Sequence, residues 1–62
     1  MGFIELTGID GSKFLVNLAN ILWVEIDLGL VTINFARGRV MVQETMDEVQ
    51  NMLQPYSKTE GN

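Results

Sequence analysis

Chemistry in this chain has to be done without its commonest tools. The 62 residues contain no cysteine and no histidine. Thiolate nucleophiles, disulfides and thiolate metal sites are therefore excluded, as is the imidazole that serves most general-base and zinc sites. A serine hydrolase of the usual triad type is excluded with it. Acid–base work would have to rest on carboxylates, and the only basic pair is Arg37 and Arg39. Glu25 and Asp27 are two residues apart, so on a strand both point to one side and could hold a hard cation or share acid–base work. No Asp-x-Asp-x-Asp loop surrounds them, and a strand end turning into solvent explains them better. Glu44, Asp47 and Glu48 sit together where a helix is expected to begin, which capping explains without a reaction. Arg37 and Arg39 flank Gly38 and form a candidate anion-binding turn. Gly8 and Gly11 border a turn, but no phosphate-binding glycine fingerprint follows them. The residues imply no enzyme, no catalytic group, no metal and no cofactor.

Composition narrows the partners. Eight acidic and four basic residues give a net charge of −4. That opposes binding to phosphate backbones, so a nucleic-acid partner is not expected. The apolar run from Asn17 to Val31 is broken at Glu25, Asp27 and Gly29 and is too short of the roughly 20 apolar residues a membrane span needs. Met1 to Thr7 has no basic residue and no small-residue cleavage site of the kind a signal peptide carries. A cytoplasmic protein is the expectation.

The elements follow from periodicity. Phe3–Thr7 reads as a strand, Gly8–Gly11 as a tight reversal, and Lys13–Asn17 as the returning strand. Asn17–Asn20 is a turn or a single helical turn. Ile21–Ile26 is the most apolar strand, with Leu22, Val24 and Ile26 on one side and Ile21, Trp23 and Glu25 on the other. After a turn at Gly29, Val31, Ile33 and Phe35 alternate inward while Thr32 and Asn34 face out. After a second turn, Val40 and Val42 face inward from the strand Arg39–Gln43. The period then changes to 3.6. Thr45 with Glu48 three residues on makes a capping box, Met46, Val49, Met52 and Leu53 form an apolar stripe, and Pro55 ends the helix near Gln54. The Met residues read as core filler rather than as a peptide groove. The expected fold is mainly β with one C-terminal helix: a small antiparallel open barrel or twisted meander capped by the helix. A single domain spans residues 1–55, and 56–62 form a polar, flexible tail.

This scheme leaves apolar residues over. With Leu22, Val24 and Ile26 given to the core, Ile21 and Trp23 lie outside it, as do Leu15, Leu28, Leu30 and Met41. For so short a chain, apolar burial and the entropy of ordering nearly cancel. One reading is that the strand Ile21–Ile26 bulges or is covered by the helix on its second face, which leaves Trp23 in the core; the two points together tip the balance toward a homo-oligomer, with Leu15, Ile21, Trp23 and Met41 as candidate interface residues and a separate protein partner left unidentified.

The order of these residues resembles the FlbD family of small flagellar and swarming-motility proteins. The resemblance rests on Leu6-Thr7, Gly11, Asn17, Ile21, Val24-Glu25, Thr32-Ile33, Gly38, Val42-x-Glu44-Thr45 and Glu48-Val49, and covers Phe3 to about Leu53. A Pro-Asp-Thr that often precedes the fourth strand in that family is replaced by Leu30-Val31-Thr32. The resemblance implies a non-enzymatic interaction module connected with motility, and no catalytic residue. The strand pattern is also similar to the first part of the LytTR DNA-binding domain, which makes a minimal nucleic-acid-binding barrel the alternative. The basic, DNA-contacting part of that domain has no counterpart among these residues.

Overall fold

A computed structural model describes residues 2–56. Strands β1 (Phe3–Thr7) and β2 (Lys13–Asn17) form a hairpin. A 3-10 turn at Leu18–Asn20 leads into β3 (Trp23–Asp27), β4 (Leu30–Phe35) and β5 (Gly38–Val42), and helix α1 (Met46–Leu53) follows, ending in a 3-10 turn at Gln54–Tyr56. The chain is thus mainly β with one C-terminal helix. The strands make two antiparallel sheets, β1-β2 and β3-β4-β5, and these do not close into a barrel.

Local chemistry explains the elements. In the first reversal Gly11 takes φ +92°, a conformation costly for residues with a Cβ. The Asp10 carboxylate accepts from the amide of Ser12 at 2.9 Å and from its hydroxyl. These bonds hold the Asp10 carboxyl below its ordinary pKa. Asn17 caps the 3-10 turn by accepting from the Ala19 amide at 3.0 Å. Thr45 caps α1 as its sequence implies: its hydroxyl accepts from the Glu48 amide at 3.1 Å, and the Glu48 carboxylate accepts from the Thr45 amide at 2.9 Å.

The sheets meet at one corner. Gly8 bridges to Val42, and the Gln43 amide donates to the Thr7 carbonyl at 2.8 Å. The Thr7 amide donates to the Glu44 carboxylate at 2.9 Å. A Cβ on Gly8 would stand 2.6 Å from the Phe14 ring of the adjoining strand, so a larger residue there would push that ring aside. Folded about this corner, the hairpin lays Ile4, Leu6 and Val16 against Val31, Ile33 and Val42, and α1 adds Val49. Leu6, Ile33, Val42 and Val49 are essentially sealed from water.

Three sequence expectations change. Thr32 and Asn34 do not face solvent; both are buried on the outer face of the three-stranded sheet. Their strand is the central one, flanked by Glu25 and Met41 at Thr32 and by Trp23 and Arg39 at Asn34. Their polar groups are satisfied locally: Thr32 Oγ1 donates to the Leu30 carbonyl at 3.2 Å, and Asn34 Nδ2 donates to Glu25 Oε2 at 3.2 Å. Leu22 and Ile26, assigned to the core, are exposed, while Val24 between them packs on it. The reason is that β3 is an edge strand and the hairpin folds over from the β5 side. Finally, Tyr56 is not part of a tail: it lies in the terminal 3-10 turn with its ring against Gly2. Residues 57–62, expected to be a flexible tail, lie outside the described residues.

Candidate interaction surface

Strand β3 presents apolar side chains on both faces. Leu22, just before it, is 59% exposed and Ile26 is 60% exposed on the inner face; Trp23 is 53% exposed on the outer face. Next comes a two-residue hairpin turn, Leu28-Gly29, with Asp27 paired to Leu30. Both turn residues have positive φ, +56° and +79°, as a type I′ turn demands. Asn or Asp normally precedes the glycine in such turns. Leu28 instead holds a branched side chain in the left-handed region, at a cost of about 1 kcal/mol, and leaves 86% of itself in water.

Both carboxylates of β3 are engaged within their own sheet. Glu25 and Asp27 share the outer face, as their spacing implies, but Glu25 accepts from Asn34 and Asp27 forms a 3.1 Å ion pair with Arg39. Arg39 stands opposite Asn34 and Asp27 opposite Leu30, so this pair crosses the row of Thr32, which has no exposed surface. The candidate anion-binding turn is therefore divided: Arg39 reaches back along the sheet to Asp27, and Arg37 sits exposed in the turn. Among the described residues no group of three acidic side chains could hold a metal ion. No helix among them is long and apolar enough to cross a membrane.

The four candidate interface residues are not gathered into one patch. Leu15 is exposed on the hairpin, paired with Glu5. Trp23 and Met41 share the outer face of the other sheet, Met41 half-buried beside Thr32. Ile21 turns partly inward onto the core. Leu22 and Ile26 were missed as surface residues, and only the position of β3 at the sheet edge reveals them. Leu28 had a readable signal, a leucine where a tight turn wants asparagine.

Elsewhere, Phe3, Phe14, Phe35 and Val40 line a shallow apolar groove near the end of β2. Two acidic residues around the start of α1 are bonded to the backbone, Glu48 in the helix cap and Glu44 at the corner. Burial pushes the Glu44 carboxyl up, but the bonds from Thr7 and the nearby Lys13 charge outweigh it, and its pKa lies below the ordinary value. Comparison with models of known families, with curated proteins and with solved structures finds no match in any of the three.

Proposed function

We propose that this chain is a non-enzymatic interaction module that self-associates, similar in kind to the FlbD-type motility proteins that its residue pattern resembles. One observation supports the reading above others. Leu22, Trp23, Ile26 and Leu28 expose apolar surface within seven consecutive residues, and one of them is held there at the expense of local backbone strain. The carboxylates that could have done chemistry are engaged within their own sheet. The test is absolute molar mass by light scattering behind a sizing column, from micromolar to near-millimolar chain. The expected result is a species of at least twice the 7.0 kDa chain mass that dissociates on dilution. A 7.0 kDa monomer at every concentration overturns the proposal.

A further inference from the structure

We propose that two copies pair antiparallel along β3, about a two-fold axis passing through Val24. The proposal rests on the self-association reading and names its surface. Strand β3 hydrogen-bonds to β4 on one side only among the described residues. Free edges are normally protected by charged side chains, lysine above all, by proline, by a bulge or by being short. The five-residue edge Trp-Val-Glu-Ile-Asp has neither lysine nor proline, and its two carboxylates are drawn to Asn34 and Arg39 of their own sheet, whereas β2, at the edge of the other sheet, opens with Lys13.

The register follows from charge. In a two-fold antiparallel pairing each residue faces one on the same side of the sheet, so the axis must pass through a residue position. An axis at Glu25 sets Glu25 against Glu25 of the second copy, and an axis at Ile26 sets Glu25 against Asp27; like charges directly opposite are destabilising. An axis at Trp23 draws the 3-10 residues Ala19 and Asn20 opposite Asp27 and Ile26, where they cannot extend the ladder. An axis at Val24 avoids all of these. It sets Val24 against Val24 and Leu22 against Ile26 on the inner face. On the outer face it sets Trp23, whose indole N–H is a donor, against the acceptor Glu25. Leu28 then lies at the end of the ladder, next to the second copy's 3-10 turn.

The surface available is of the size an interface needs. From their exposures, Leu22, Trp23, Ile26 and Leu28 offer roughly 500 Å² per copy, so complete cover of all four buries about 1,000 Å² for the pair before backbone is counted. Full cover is thus what a specific interface at its lower bound requires.

The chain has no cysteine, so introduced cysteines report this pairing alone. Under mild oxidation, Val24→Cys is expected to give a disulfide-linked dimer, because directly opposed Cα atoms stand about 4.5–5.5 Å apart. Glu25→Cys is expected to give little, since its two copies would stand about 8 Å apart, whereas a mixture of Trp23→Cys and Glu25→Cys chains should cross-link. That mixture also covers the case in which cysteine at half-buried Val24 disturbs folding. Ile26→Lys, at an exposed position that leaves the core intact, should weaken association ~100-fold, since the two-fold axis counts it twice. A wild-type chain that is monomeric throughout defeats self-association itself. An associating wild type whose Ile26→Lys variant associates equally well overturns the β3 pairing but not self-association, and one whose Glu25→Cys chains link in preference to the mixture overturns the Val24 register.

Discussion

Replacing Leu28 by asparagine should make the isolated chain more stable, and the size of the gain can be worked out. Leu28 has φ +56°, where an L-residue with a branched side chain is strained by about 1–2 kcal/mol. Asparagine tolerates that region and is the preferred first residue of a type I′ turn before glycine. The leucine is 86% exposed, so the substitution sacrifices only about 0.3 kcal/mol of burial. The net gain is about 1 kcal/mol. With an unfolding entropy of roughly 2.1 cal/mol/K per residue, Tm should rise by about 8 °C. Leu28→Gly should gain much less, because glycine returns about 0.5–1 kcal/mol through the greater freedom of the unfolded chain. Gly29→Ala provides the control: nothing lies within 4 Å of the added Cβ, so any loss reports backbone strain at φ +79° less the unfolded-chain freedom that leaves with the glycine. It should cost about 0.5–1 kcal/mol. Thermal unfolding followed by circular dichroism at a few micromolar chain, below any association, gives all three values. A Leu28→Asn chain that melts at or below the wild type refutes the strain argument.

Two further outcomes follow from the caps and the corner. Thr45→Ala removes one arm of the capping box at α1 and should cost about 1 kcal/mol in denaturant unfolding. Glu44 holds the corner through Thr7, and its folded pKa lies below the ordinary 4.5. Its contribution is therefore fully present above the unfolded pKa and lost as pH falls through the lower folded value. Glu44→Gln keeps an acceptor but not the charge, so it should lower stability by less than about 1 kcal/mol near pH 7. The gap from wild type should narrow below about pH 4.5 in pH-dependent melts; a gap that widens there would contradict the sign.

Much of this architecture was legible in the residues because its signals are local. Alternation located the strands, the glycines located the turns, and Thr45 with Glu48 located the helix to within a residue. What was not legible depends on sheet order, which no local pattern states. Thr32 and Asn34 read as outward because polar alternates with apolar, yet a central strand buries its polar residues when neighbours cover them and local acceptors satisfy them. Leu22 and Ile26 read as core because they share a side with Val24, yet an edge strand projects past the covering hairpin. The candidate surface was half legible for the same reason. The excess of apolar residues pointed to Trp23 and noted Leu28, but placed Ile21 outside and Ile26 inside, the reverse of their positions.

The strained turn and the exposed strand edge are best understood together. Leu28 breaks a turn rule at a site where its side chain adds almost nothing to the folded chain, so monomer stability does not explain it. Ile26, two residues earlier, belongs by its alternation to a core that does not reach it. The intervening Asp27 is neutralised by Arg39, and Glu25 is bound by Asn34, so the charges beside these apolar groups are already drawn along their own sheet. A surface arranged in this way is suited to lose water against an apolar face. If association is its purpose, Leu28→Asn should move two measurements in opposite directions, raising Tm in dilute solution while weakening assembly in concentrated solution. A rise in both would make the leucine a turn defect with no part in the interface.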